Sequence, residues 1–265
     1  MSGTGWRRAA SWLIAANFAL VVFSLLGTAT LRFHFPTPAM DFARLAGIVA
    51  QANILIGTSA AFLVMAAGQG GRRVLKLLAL SALVGGGSEW LCIATGFPYG
   101  SYSYTPFLGV AVGGLPVTIP LAWFMVTSTS IHLARQFVSK SLGATVLAGV
   151  LVTLWDLVLD PAMTTGFAAW QWHDTGPYYG IPFTNFAGWF TVSVLIAGLF
   201  TVLSGVWRPD RSPHSLWLYV VQGGLPAGLA LLHGRAPAAI IWALGTGLLC
   251  VGLYLRRPGT GGESA

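Results

Sequence analysis

The chain is 265 residues long, 55% hydrophobic and only 8% charged, with a formal net charge of +7. Soluble domains carry roughly 25% charged residues, so this composition excludes an ordinary water-soluble globule and indicates an integral membrane protein. The fourteen Lys and Arg residues are scattered, some in pairs, at the ends of apolar runs, as juxtamembrane anchors are, which argues against nucleic-acid binding.

Apolar runs long enough for a ~30 Å hydrocarbon core fall near 9–31, 43–67, 74–95, 116–134, 141–160, 183–206, 215–233 and 236–255. They predict an all-α polytopic membrane helical bundle of about eight transmembrane helices, one integral domain over 1–265, as a multi-pass protein of the cell membrane. The first run follows Arg7 and Arg8 and has small residues at 27–30, as a signal peptide would, but its length favours an uncleaved span. With a cytoplasmic N-terminus, the inner side collects Arg7, Arg8, Arg72, Arg73, Lys76, Arg135, Lys140, Arg208, Arg211, Arg256 and Arg257. The outer side keeps only Arg32, Arg44 and Arg235. That bias follows the positive-inside rule and predicts that both termini are cytoplasmic. The ends, 1–5 and 258–265, read as disordered tails. Cys92 and Cys250 both fall inside spans and support neither a disulfide framework nor a metal site.

The third run carries Glu89, and the fifth ends in LVTLWDLVLDP (151–161), with Asp156 and Asp160. An ionisable group in lipid costs ~2.5–3.5 kcal/mol on the insertion scale, so it usually faces a polar interior and is functional. The i, i+4 spacing puts both aspartates on one helix face, with Cβ atoms ~6 Å apart. All three acids fall toward the outer ends of their spans. Partial burial, like-charge neighbours and the negative helix C-terminus oppose full ionisation of the trio, so at least one acid is expected to carry a proton. A protonated acid beside an ionised one is what general acid/base chemistry requires. The plainer alternatives are a helix-end role for Asp160, before Pro161 in interfacial water, and structural hydrogen bonds for Glu89 and Asp156.

Two outer loops, 95–115 and 161–181, are long, aromatic and rich in Gly and Pro, a pattern more often functional than connecting. LPVTIPLAWF (115–124) aligns without gaps on IPFTNFAGWF (181–190), matching Pro116 with Pro182, Thr118 with Thr184, Trp123 with Trp189 and Phe124 with Phe190. Glu89 stands 27 residues before Pro116 and Asp156 stands 26 before Pro182. The segments 74–134 and 141–206 therefore read as a duplicated hairpin bringing one acid from each copy to a shared site. Convergence on ordinary helix-start residues is the alternative.

Tyr99, Tyr102, Tyr104, Trp123, Trp155, Tyr178, Tyr179 and Trp189 crowd the same outer region. An interfacial belt accounts for many of them. The inner side has no such concentration, however, and aromatic faces stabilise cations, so these residues are candidate substrate-binding walls. Asn185 could orient water or cap its helix. His173 and Asp174 read as solvated loop residues, and His132 and Arg135 as inner interfacial ones.

These motifs, namely GSE (87–89), TGFPYGSYSY (95–104), LPVTIPLAWF (115–124), WDLVLDPAM (155–163) and YYGIPFTNFAGW (178–189), resemble the membrane-integral carotenoid hydratase family. That family includes bisanhydrobacterioruberin hydratases and gamma-carotene 1'-hydroxylating hydratases. The likeness is strong over about 85–190. It implies addition of water across the terminal C1,C2 double bond of an acyclic ψ end group, giving a tertiary alcohol. The expected catalytic residues are Glu89, Asp156 and Asp160, with protonation by Asp156 or Glu89 and water orientation by Asp160 or Asn185. No cofactor or metal is expected, since the chain has no Gly-rich nucleotide loop, haem motif or clustered His ligands. The expected substrate is a carotenoid such as gamma-carotene or lycopene; the basic chain argues against an extreme halophile's pathway. Two rival readings remain. In a polyprenyl transferase Asp156 and Asp160 would hold Mg²⁺ against a diphosphate, and in a proton-coupled transporter the acids would relay protons.

Overall fold

A computed structural model describes residues 3–34, 39–208 and 212–256. Arg211, Arg257, Asp210, Glu263 and the 258–265 tail lie outside the described residues, as do the side chains of Arg32 and Asp41. Residues 3–5, read above as part of a tail, already belong to the first helix.

The helices in chain order are α1 (Gly3–His34), α2 (Ala39–Gln69), α3 (Gly71–Ser81), α4 (Gly87–Thr95), α5 (Ile119–Phe137), α6 (Ser141–Thr165), α7 (Phe183–Ser204), α8 (His214–Leu232) and α9 (Ala236–Leu255). A π-helical turn, Ala82–Gly86, joins α3 to α4 into one membrane-length rod. Among the described residues, seven helical segments are long and apolar enough to cross a membrane. The chain is thus a polytopic all-α bundle.

The predicted fourth span, α5, differs from the others in character. Its Thr127-Ser-Thr-Ser130 run makes it too polar for a lipid-facing helix, yet every residue from Trp123 to Ala134 is buried. It packs against α2, α3, α6 and α8. A helix sheathed by others needs no apolar surface for lipid, and Thr129 Oγ1 satisfies itself by donating to the Met125 carbonyl at 2.7 Å. His132, read from sequence as interfacial, is fully buried beside it and accepts a hydrogen bond at Nδ1 from Trp207 Nε1 at 3.1 Å.

One end of the bundle gathers the basic residues, which cap helix C-termini whose last carbonyls lack intrahelical donors. Arg73 donates to the carbonyls of Gly205 and Val206 beyond α7. Arg256 does the same for Phe137 at the end of α5, and Arg135 for Ser139. Ser11 in α1 meets His214 there at 2.9 Å. The described N- and C-terminal ends of the chain therefore share the basic end, the one expected on the cytoplasmic side from the charge bias.

At the opposite end, the two long loops are not irregular throughout, as the sequence suggested. Short strands β1 (Tyr102–Tyr104), β2 (Ala111–Val112), β3 (Leu115–Pro116) and β4 (Trp170–Trp172) form two ribbons. β2 pairs with β3, and β1 pairs antiparallel with β4 across the two loops, setting Tyr102 opposite Trp172 and Tyr104 opposite Trp170.

Close packing at this end depends on glycine. A Cβ on Gly85, in the π turn, would lie 2.5 Å from Cγ and 2.6 Å from Cδ2 of the fully buried Trp123. Gly85→Ala is therefore expected to displace that indole and cost about 1–3 kcal/mol, the usual penalty of overpacking. Thermal unfolding of the detergent-solubilised protein measures this, and an unchanged midpoint would show that the contact is not tight.

Candidate active site

Glu89, Asp156 and Asp160 are 2%, 1% and 1% exposed and line one cavity together. Three local features deliver them. The π turn inserts an extra residue into the α3–α4 rod and turns the face that follows it, so Glu89 in the first turn of α4 points inward. On α6 the i, i+4 spacing aligns the two aspartates. The helix does not stop before Pro161, as the sequence suggested, but runs through it to Thr165, so Asp160 is a buried helical residue and not an interfacial helix end. A proline at 161 has no N–H for the Leu157 carbonyl, and Tyr178 Oη fills that role by donating at 2.8 Å.

This compensation gives a direct test. Tyr178→Phe is expected to cost about 1 kcal/mol, the net value of a buried hydrogen bond. The same change in a Pro161→Ala background should cost less, because an alanine N–H can bond the Leu157 carbonyl. A double-mutant cycle by thermal or chemical unfolding reports the difference, and strict additivity would refute the compensation.

The β1–β4 ribbon closes over the acids. Strand side chains alternate faces, and both tyrosines and both tryptophans point the same way. Tyr102 Oη and Tyr104 Oη donate to Glu89 Oε2, the latter at 3.0 Å, while Trp123 Nε1 donates to Oε1 at 3.0 Å. Trp170 Nε1 and Trp172 Nε1 donate to Asp160 Oδ1 at 2.7 and 3.2 Å. Burial first, and then the charge of Glu89, push the Tyr102 and Tyr104 phenols well above the usual tyrosine range. They remain neutral donors at any physiological pH.

Asn185, in the first turn of α7 and 2% exposed, spends its amide on the aspartates. Its Nδ2 donates to Asp156 Oδ2 at 2.8 Å and to Asp160 Oδ2 at 2.6 Å. Every oxygen of Glu89 and Asp160 therefore has a donor. Among the described residues, Asp156 Oδ1 is buried with no hydrogen-bond partner.

Of the aromatic residues expected to bind substrate, Tyr99, Tyr102, Tyr104, Trp123, Trp155 and Trp189 line the cavity with Asn185. Trp123 and Trp189 stack at 4.2 Å with an interplanar angle of 15°, and Trp155 is tilted against Trp189 at 6.2 Å. Tyr99 shares a 2.6 Å hydrogen bond with Ser88 and packs 6.3 Å from both stacked indoles. Tyr178 and Tyr179 lie outside the cavity wall; Tyr178 serves α6, and the Arg235 guanidinium sits 5.0 Å over the Tyr179 ring. Burial and then the neighbouring Tyr179 push the Tyr178 phenol up to about 12. His173 and Asp174 are exposed, as expected, although Asp174 Oδ2 accepts the Ser101 N–H at 2.6 Å. Trp170 and Trp172 were not among the expected site residues. The signal for them was the aromatic alternation of WQW against YSY, which places alternate side chains on one strand face.

The cavity provides about 170 Å³ to the centres of water-sized molecules, where one water needs ~10–15 Å³. It continues from the acids along α1, α2 and α8 past Phe23 and Leu45, which are 56% and 44% exposed on the outside of the bundle. The arrangement is a buried acid cluster with one uncommitted carboxylate oxygen, aromatic walls and an apolar side channel.

The chain is 33% identical over 193 residues to the bisanhydrobacterioruberin hydratase of Haloarcula japonica, an alignment covering 64% of each protein. It thus spans a little under two thirds of that relative's length. No solved structure gives a significant match. A family model described as "Carotenoid biosynthesis protein" matches residues 49–250, a stretch that contains all three acids and both aromatic loops, and the chain belongs to that carotenoid-biosynthesis family.

Proposed function

We propose that the protein is a carotenoid hydratase that adds water across the terminal C1,C2 double bond of an acyclic ψ end group, as in gamma-carotene or lycopene. The observation that carries this reading is the uncommitted Oδ1 of Asp156, the one carboxylate oxygen of the trio left without a protein donor among the described residues. Three buried carboxylates in one cavity cannot all be ionised at modest cost. Glu89 and Asp160 each receive three hydrogen bonds, whereas Asp156 receives one. The shared proton therefore belongs on Asp156, which lines the cavity.

In this mechanism Asp156 protonates C2. The π bond breaks, a C–H bond forms, and a tertiary cation develops at C1. Trp123, Trp155 and Trp189 line the cavity, and aromatic rings favour such a charge in a dry site. Water bonds to C1 through oxygen and the resulting oxonium loses a proton to Asp160, so the net change is the gain of one water. Asp156 is reprotonated before the next turnover. A long polyene fits the geometry, because the side channel lets its body remain in the bilayer while one end reaches the acids. The Trp123–Trp189 stack and the β1–β4 pairing join matching parts of the two hairpins and support the reading that 74–134 and 141–206 are duplicated.

Among the described residues, those lining the cavity include no Lys or Arg, which a diphosphate-binding transferase site would need for its phosphate oxygens. Expression in cells accumulating lycopene or gamma-carotene, followed by mass analysis of the pigments, tests the proposal. The expected result is a product heavier by one water. Unchanged pigment with abundant membrane-inserted protein would refute it.

A further inference from the structure

The cavity holds a second polar group that the three acids do not explain. Gln222, midway along α8, is 7% exposed and lines the same cavity, yet neither Oε1 nor Nε2 has a hydrogen-bond partner. The hydroxyls on that wall are satisfied. Ser24 Oγ donates to the Leu20 carbonyl at 2.7 Å and Thr28 Oγ1 to the Ser24 carbonyl at 2.8 Å, each within α1. An unpaired primary amide buried among apolar side chains is unfavourable unless something polar occupies the space in front of it.

Two further groups converge there. Pro226, one turn on in α8, also lines the cavity and has no N–H, so the main-chain carbonyl of Gln222 lacks its α-helical donor. Asn53 of α2 has its Oδ1 occupied by Asn17 Nδ2 at 2.8 Å, while its own Nδ2 is buried without a partner. α1 and α8 run side by side in the same direction. Ser11 meets His214, 203 positions on, and Leu25 abuts Gly228 at the same separation. Asn17 is therefore level with residue 220, within ~3 Å along the axis of Gln222 at the 1.5 Å rise of a helix.

We propose that Gln222 and Asn53 hold the water that captures the cation. The site offers one amide acceptor, one main-chain acceptor and two amide donors, and a buried water commonly makes about three such bonds. An amide suits the task because it accepts the water's hydrogens without itself taking a proton, leaving a lone pair for C1. Gln222 is thus a positioning residue that acts through water. This inference rests on the hydratase reading and adds the source of the nucleophile to it.

Partitioning of the cation provides the test. In D₂O, transfer of a deuteron to C2 followed by loss of the original proton returns the alkene labelled with deuterium, whereas capture by water gives the alcohol. The full-length protein in membranes, supplied with lycopene, reports both by mass analysis. Lycopene carries no oxygen, so any effect on it separates held water from recognition of a substrate hydroxyl. Wild-type protein that yields no alcohol would sink the hydratase reading itself. With an active wild type, Gln222→Met is expected to raise the ratio of labelled alkene to alcohol by about tenfold, the weight of one hydrogen bond in the capture step. Gln222→Asn should restore part of the loss. An unchanged ratio in Gln222→Met and in Asn53→Leu, whatever their total turnover, would overturn the proposal, as would an effect confined to hydroxylated carotenoids.

Discussion

Asp156→Asn is expected to lower hydration of a ψ-ended carotene by about 10³-fold, within the 10²–10⁴ range that a positioned general acid supplies. The amide matches the carboxyl in size and still offers an oxygen to Asn185 Nδ2, which now donates to Asp156 Oδ2 at 2.8 Å. The fold should therefore persist, and a normal thermal midpoint is the control. What disappears is the transferable proton on the one carboxylate oxygen of the trio that has no protein donor among the described residues. Asp160→Asn should be slowed as well, but by a smaller factor, since other carboxylates can receive the proton released by the captured water. Product yield by mass, normalised to membrane-inserted protein, decides the matter. About a tenth or more of wild-type turnover in Asp156→Asn would mean that the barrier contribution is under ~1.4 kcal/mol and that Asp156 is not the acid.

The second large effect is expected at Asn185. Its single amide nitrogen separates Asp156 from Asp160, donating to both at 2.8 and 2.6 Å. Hydrogen bonds to charged groups are each worth roughly 1.5–3 kcal/mol, and an unsatisfied buried carboxylate costs more than the mean bond. Asn185→Leu, which fills the space without a donor, should therefore destabilise the protein by several kcal/mol and reduce turnover by about 10²-fold or more as the acids lose their geometry. Removing the Asp160 charge that this amide serves should relieve part of this, so Asp160→Asn combined with Asn185→Leu is expected to cost less than the sum of the single changes. Thermal midpoints and product yields of the four proteins close this cycle. An Asn185→Leu protein as stable and active as wild type would show that the bridge is incidental.

The expectations from sequence and the structure part company at identifiable places. The aspartates were legible because an ionisable pair in an apolar helix is anomalous by composition alone, and the i, i+4 spacing fixes their common face. Asn185 was legible as a neighbour but not as a bridge, since a helix-start amide fits capping and function equally well. Trp170 and Trp172 were not singled out, because nothing local distinguishes an interfacial indole from one whose N–H meets a carboxylate. The extent of α6 past Pro161 was hidden because the phenol that repairs the broken helix bond belongs to Tyr178, 21 positions from Leu157. The run at 116–134 was legible as a span but not as a buried central helix, since only the surrounding helices show that its Thr127-Ser-Thr-Ser130 stretch avoids lipid.

Sequence by itself determined the class of protein, the spans and the acids, because transfer of ~20 apolar residues into lipid and the penalty on a charge there are local properties of a segment. Its motifs also sufficed to point to a carotenoid hydratase. Tertiary structure alone decided which donors meet which carboxylate, that β1 and β4 pair to bring four of those donors over the site, that Tyr178 serves the backbone while Tyr99 lines the cavity, and that Gln222 shares the cavity with the acids. Those are contacts between segments up to about 200 positions apart. A hydrogen bond depends on distance and direction to within a fraction of an ångström, which no local pattern of residues can encode.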